Sequence, residues 1–348
     1  MTRDCLRLHE TSSTDPIRLL NMTCVERKNM RKIIIDTDTG SDDAIALLMA
    51  LSDKNTEVLA LTTVFGNVSL KQATRNALIS CEVAGVSVPV YPGMDRPLIR
   101  DRIEAIHVHG SDGLGDAGIL DPKLKAENVH AVTALIELIS KHNDLELITL
   151  GPLTNVALAM RKAPDILKRL KKIICMGGAQ LGYAAETEVA EFNVLADPEA
   201  AKIVFEFGVP LIMVPLEVCL NGDGRHGAET ILDELDLDSI KAINTPKSEF
   251  LLKISSSLLK FHEIYYGDVG LELPDPCAVA VALRPELILN VYPANVTVDT
   301  SGSLSYGQTV VNTKGGTVLE DQIYVANVSI VSALDGKGFK TMIKEALR

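Results

Sequence analysis

An apolar run, Ile33-Ile34-Ile35, drives straight into four aspartates packed within eight residues: Asp36, Asp38, Asp42 and Asp43, with Gly40 between the pairs. A helical pattern follows at Ile45, Leu47, Leu48 and Leu51. This order predicts a buried strand, a tight turn and a helix start, with carboxylates gathered at the strand's carboxyl end. Open α/β sheets place their sites there. Four like charges at such spacing push their pKa values up unless a cation sits among them. All the donors are oxygen, which favours Ca²⁺ or Mg²⁺ over zinc. Capping of a first turn would account for Asp42 and Asp43. It does not account for Asp36 and Asp38 on the strand end, so the four together predict a metal-dependent site.

From residue 32 onward the pattern alternates. Strand-like runs fall at 32–36, 58–64, 88–91, 145–150, 172–176 and 211–214, with helical patterns at 42–51, 70–84, 130–141, 156–159 and 198–207. Such alternation predicts an α/β fold with a Rossmann-like, mainly parallel sheet covered by helices on both faces. After Pro215 the rhythm changes. A long helical region is expected at 247–266, a further helix opens at Asp275-Pro276 with proline at a tolerated first position, and β-branched residues over 291–332 predict added antiparallel strands. No internal repeat or low-complexity linker divides the chain, so residues 30–348 are expected to form one domain. Residues 1–29 are polar and irregular, and read as a disordered extension. Three long segments, 92–116, 177–192 and 221–227, are expected to be site loops.

The chain has 348 residues with 34 basic and 46 acidic side chains, a net charge of −12. That balance argues against nucleic acid or an anionic membrane as partner. No apolar run approaches the roughly 18–20 residues needed to span a bilayer. The six cysteines are scattered without a Cys-x-x-Cys pair. Buried free thiols in a reducing, cytoplasmic compartment are the expected state.

Further motifs carry weaker signals. His107-x-His109-Gly110 opens a polar loop that continues Ser-Asp-Gly-Leu-Gly. Glu191 and Asn193 flank Phe192, a pairing suited to sugar hydroxyls. Gly151-Pro152 marks a turn after a strand, which exposes the Leu150 carbonyl where a metal could use it, while Thr154 or Asn155 is placed to cap the next helix. Met176-Gly177-Gly178 is another strand-to-loop break, without dinucleotide-fingerprint spacing. An Asp-x-Asp segment after a strand also suits a haloacid-dehalogenase-like phosphatase, with Asp36 as nucleophile and Asp38 as acid. That reading gives Asp42-Asp43 no role.

Taken together, Asp36-Thr-Asp38-Thr-Gly-Ser-Asp42-Asp43-Ala44, Thr62 to Val68, His107-Val-His109-Gly110, Gly151 to Asn155, Met176-Gly-Gly178, Glu191-Phe192-Asn193 with Asp197-Pro198-Glu199-Ala200, and Asp275-Pro276-Cys277-Ala278 resemble the nucleoside hydrolases, the inosine–uridine-preferring N-ribohydrolases. The likeness spans about residues 31–346. It implies Ca²⁺-dependent hydrolysis of the N-glycosidic bond of ribonucleosides, releasing nucleobase and ribose, by a homodimer or homotetramer. Asp38 is then the general base that activates a metal-bound water, and also a Ca²⁺ ligand. Asp43, Asp275 and the Leu150 carbonyl complete the ligands, and Asp36 supports them from beneath. Asp42, Asn193 and Glu191 face the ribose, Asn67 and Met176 line the pocket, and His109 lies on the leaving-base side.

Two positions depart from the resemblance. The best-known members carry histidine immediately before Asp-Pro-Cys, as an acid for the departing base, and this chain has Pro274. His109, His262, Tyr265 and Tyr266 are the alternatives. Residues 182–189 also differ, which leaves the 5′-hydroxyl contact unassigned. The departures keep a second class open: a Ca²⁺-dependent ribose-binding protein without turnover.

Overall fold

The computed structural model describes residues 30–180, 187–220, 229–302, 304–313 and 325–348. The expectations for residues 1–29, for 182–186 and for the loop at 221–227 lie outside the described residues.

Among the described residues, nine strands form one sheet: β1 Arg31–Thr37, β2 Thr56–Thr63, β3 Val90–Pro92, β4 Glu146–Thr149, β5 Lys172–Met176, β6 Leu211–Val214, β7 Ile288–Val298, β8 Thr309–Asn312 and β9 Val328–Leu334. Their order is β3-β2-β1-β4-β5-β6-β9-β7-β8. Pairing is parallel from β3 through β9, and β7 runs antiparallel to both β9 and β8. The α/β class and the Rossmann-like sheet expected from the alternation are therefore present. The first six strands follow the doubly wound order, which reverses direction between β1 and β4. The C-terminal strands are antiparallel at the β7 contacts, while β9 is parallel to β6.

The isoleucine run explains how β1 holds the centre. Successive side chains point to opposite faces, so Ile33 and Ile35 pack into one core with helices Ser41–Ser52 and Pro274–Leu283, while Ile34 packs into the other with helices Ala131–Lys141, Thr154–Lys162 and Pro198–Phe205. A sheet covered on both faces needs apolar side chains at every position of its central strands. Full burial of each isoleucine stabilises the fold by roughly 1.5–3 kcal/mol, which fixes the end of β1 against movement.

Two helical expectations are revised. The region 247–266 is two helices, Pro246–Ile254 and Ser256–Tyr266. The break falls at Ser255, whose hydroxyl donates to the Leu251 carbonyl at 2.8 Å, a back-bond that bends helices. The pattern at 156–159 is the middle of a longer helix, Thr154–Lys162, whose N-cap residue Leu153 provides no side-chain cap.

Candidate active site at the reversal of strand order

The carboxyl ends of β1, β4 and β5 deliver Asp36 and Asp38, Leu150, and Met176 to one edge of the sheet, where strand order reverses. Two helix starts converge on the same place. Ser41–Ser52 carries Asp42 and Asp43 in its first turn, and Pro274–Leu283 carries Asp275. A helix start favours a carboxylate by about 0.3–1 kcal/mol, far less than the cost of burying several carboxylates together.

Each carboxylate is held in its own way. Asp36 lies beneath the rest, fully buried, with Oδ2 accepting from Thr62 Oγ1 at 2.5 Å and Asn155 Nδ2 at 2.9 Å. Burial pushes its carboxyl up to about 7, against those two hydrogen bonds. Asn155 does not cap a helix. Its side chain reaches back to Asp36 and to the Thr63 carbonyl at 3.0 Å. Asp38 accepts at Oδ2 from the backbone N–H of Asn67 at 2.7 Å. Two glycines make room for it: a Cβ on Gly66 would stand 2.0 Å from its Oδ2, and one on Gly151 2.7 Å from its Oδ1. Asp43 accepts from Thr37 Oγ1 at 2.5 Å, from the Gly40 N–H at 2.8 Å and from Asn67 Nδ2 at 2.9 Å. It therefore caps its helix as well as belonging to the cluster. Burial, then the nearby Asp42, raises it to about 6. Burial raises Asp38 and Asp275 well above the carboxylate range, and the neighbouring aspartates add to both.

Carboxylate oxygens of Asp42, Asp43 and Asp275 lie within 4.8 Å of one another. Oδ1 of Asp36, Asp38 and Asp42 are buried without a hydrogen-bond partner among the described residues. Buried unpartnered carboxylate oxygens are costly. Such a set, made only of oxygen and short of donors, fits a hard divalent cation. The compact trio contains Asp42 rather than Asp38, which couples to it through charge.

The Leu150 carbonyl accepts from Asn193 Nδ2 at 2.7 Å, and the same amide group lies 3.3 Å from Met176 Sδ. Glu191 caps the helix Phe192–Ala196 and accepts from the backbone N–H groups of Gly178, Asn193 and Val194 at 2.9, 2.8 and 3.2 Å. Burial nevertheless raises its carboxyl to about 7. His109 ends a short helix, Ile106–His109, in the expected loop at 92–116. Its Nδ1 accepts from the Ser41 N–H at 3.3 Å and lies 3.7 Å from Asp42 Oδ1. An accepting Nδ1 assigns the proton to Nε2, and burial lowers its pKa, so the ring is neutral. Gly40 permits this approach, because a Cβ there would stand 2.8 Å from His109 Nδ1.

These groups surround a cavity of about 310 Å³. Asp42, Asn67, His109, Leu150, Met176, Glu191, Asn193 and Asp275 all line it, whereas Asp38 and Asp43 lie buried beside them, outside its wall. Exposed Tyr265 and Tyr266 stand at the mouth. His262 does not line it. Leu216, Leu220, Leu258, Phe261 and Glu272 line it without having been singled out in sequence; an apolar or acidic residue on an amphipathic segment carries no mark of which cavity it faces.

Comparison with known proteins identifies the family. The sequence profile of the family described as "Inosine-uridine preferring nucleoside hydrolase" matches residues 33–341. A pyrimidine-specific ribonucleoside hydrolase, RihB of Shigella flexneri, is 35% identical over 320 residues, covering 91% of this chain and 97% of the relative. The solved plant nucleoside hydrolase PpNRh1 superposes with a TM-score of 0.83 at 30% identity, over 91% of this chain and 98% of that one. A purine-preferring ribonucleoside hydrolase from Gardnerella vaginalis gives 0.81 at 32% identity, again over 91% and 98%. The profile covers nearly the whole described fold, and the relatives align over almost their full length. The chain therefore belongs to the inosine-uridine preferring nucleoside hydrolase family and is a ribonucleoside hydrolase.

Proposed function

We propose that this chain hydrolyses the N-glycosidic bond of ribonucleosides with the help of Ca²⁺, and that Asp38 is its general base. The observation that carries this reading is the buried Asp38 Oδ1, which has no donor and stands at the reversal of the sheet beside the aspartate trio. Asp38, Asp43, Asp275 and the Leu150 carbonyl would hold the ion, with Asp42 bordering it on the sugar side. When bound, a divalent ion supplies Lewis-acid chemistry and lowers the pKa of a water at the site.

The chain's own groups perform the rest. Asp38 takes a proton from the water that attacks C1′. Asp42, Asn193 and Glu191 hold the ribose hydroxyls, and the Asp42 and Glu191 carboxylates also favour the positive charge that develops on the sugar as the C–N bond breaks. Asn67 orients Asp38 through its N–H and Asp43 through its side chain. Asn193 sits between the Leu150 carbonyl and Met176, and so couples the sugar side to the ion side. His109, neutral and protonated at Nε2, donates a hydrogen bond from the wall of the cavity towards the leaving group. A homodimer or homotetramer and a cytoplasmic location remain parts of this proposal.

Base preference is a separate matter, since one relative is pyrimidine-specific and another purine-preferring at similar identity. The test is base release from inosine, uridine, cytidine and adenosine, with and without a chelator. The reading expects release from at least one nucleoside, lost on chelation and restored by Ca²⁺. Ribose binding without release from any of the four would replace hydrolysis with binding. Release indifferent to the chelator would remove the ion from the account.

A further inference from the structure

One carboxyl group in the cavity has no part in the chemistry above. Glu272 stands two residues before Pro274 and lines the same cavity as Asp42, His109 and Asn193. His262 holds it there. The imidazole is buried, with Nδ1 3.0 Å from Glu272 Oε1 and Nε2 3.0 Å from Asp268 Oδ1. Gly270 leaves room for the ring, since a Cβ there would stand 2.4 Å from Nε2.

A carboxylate can only accept, so each of these two contacts needs its own proton. A neutral imidazole brings one. The row Asp268–His262–Glu272 therefore holds one proton more than a neutral histidine between two carboxylates. Its ends differ in exposure: the Asp268 side chain is 77% exposed and that of Glu272 only 15%. The row runs from solvent to the cavity. Burial raises the Glu272 carboxyl, with His262 pulling the other way.

We propose that Glu272 is the proton donor to the departing base, with His262 as its positioning residue. The inference rests on the nucleoside-hydrolysis reading above. As the C1′–N bond breaks, its electron pair stays with the base. Glu272 gives the proton of its contact with His262 to a ring nitrogen or carbonyl oxygen of that base and becomes a carboxylate, while the row keeps its second proton on the imidazole. Asp38 takes the proton of the attacking water, whose oxygen bonds to C1′. Water enters and ribose leaves with the neutral base, which carries the former Glu272 proton. Asp38 releases its proton to solvent, and the row regains one from solvent through Asp268 and His262. Pro274 carries no proton to give. Among the other groups, neutral His109 contributes its Nε2 hydrogen bond to the leaving group while its Nδ1 accepts from Ser41 beside Asp42, away from any proton supply from solvent. The half-exposed Tyr265 and Tyr266 rings pack on Phe261 and His262 at the mouth.

The test compares two leaving groups in the full-length protein. One substrate is the nucleoside that the wild type hydrolyses best. The other is p-nitrophenyl β-D-ribofuranoside, whose phenolate departs without a proton. Glu272→Gln should lower kcat on the nucleoside on the order of 10²–10⁴-fold and leave turnover of the p-nitrophenyl riboside near wild type, which also reports an intact ribose site. His262→Gln should split the two substrates in the same direction. Unchanged nucleoside turnover in Glu272→Gln would overturn the assignment. So would equal losses on both substrates in both variants, which would make the row merely structural. A wild type that cleaves neither substrate would overturn the underlying reading, and this one with it.

Discussion

The backbone N–H of Asn67 donates to Oδ2 of Asp38 at 2.7 Å, while Oδ1 of the same carboxylate is buried without a donor among the described residues. One oxygen is fixed by the loop after β2 and the other is left with its lone pairs unused. A carboxylate oriented in this way is preorganised to take a proton, and its position depends on the two glycines packed against it.

Those glycines give the first prediction. Gly66→Ala places a Cβ where the Asp38 Oδ2 now stands, at 2.0 Å, and within 2.8 Å of Pro152 Cδ. Asp38 must shift by an ångström or more. A displacement of that size at a reacting group costs about 10²-fold in rate. Steady-state kinetics of Gly66→Ala should show such a loss in kcat while circular dichroism reports the wild-type fold.

The ribose side predicts strong discrimination against 2′-deoxynucleosides. Asp42, Glu191 and Asn193 are buried polar groups on the cavity wall, and a substrate lacking the 2′-hydroxyl leaves them unpaired. Sites built to bind a hydroxyl reject the analogue without it by roughly 10⁴–10⁵-fold. The kcat/KM of a ribonucleoside and its 2′-deoxy counterpart measures this ratio directly.

Asn155 should prove important for stability. Its amide serves the buried Asp36 carboxyl and the Thr63 carbonyl, and its Oδ1 accepts from the Met94 N–H at 2.9 Å. Asn155→Ala strips all three partners at once. Each buried group left unsatisfied costs about 1–3 kcal/mol, so chemical denaturation should show a loss of at least about 2 kcal/mol.

Stability of the metal-free protein should fall as pH rises. Asp36 and Glu191 are raised to about 7 and Asp43 to about 6, against about 4 for an unfolded carboxyl. Between these values the folded state binds more protons than the unfolded one, so the stability these groups contribute is complete below about pH 4 and is lost as pH passes 6–7. Ca²⁺ needs the ionised ligands, so its stabilising effect should grow over the same range. Thermal unfolding with chelator and with Ca²⁺ at pH 4.5 to 7.5 checks both slopes.

Much of this architecture is legible along the chain, and for identifiable reasons. The isoleucines of β1 and the aspartates after them mark a buried strand end because apolar run and charge cluster adjoin in sequence. Strand β5, Lys172–Met176, and helix Leu70–Ala84 fall where their patterns place them. What escapes is what acts across the sheet. Asn155 sits where a helix cap would, yet serves Asp36, 119 residues away. Gly66 and Gly151 look like ordinary turn glycines until Asp38 is seen between them. Ser255 interrupts an apparently continuous helix through a hydroxyl-to-carbonyl bond that periodicity does not register. Glu272 is one acidic residue among many until His262 and Asp268 are folded around it.

The role of Asp38 as base is tested most directly by Asp38→Asn, with base release and calorimetric Ca²⁺ binding measured on the same preparation. Asparagine keeps the shape and the acceptor for Asn67 but cannot take a proton. The account predicts a fall in kcat of about 10²–10⁴-fold, with measurable Ca²⁺ binding retained through Asp43, Asp275 and the Leu150 carbonyl. Turnover near wild type in that variant would contradict it.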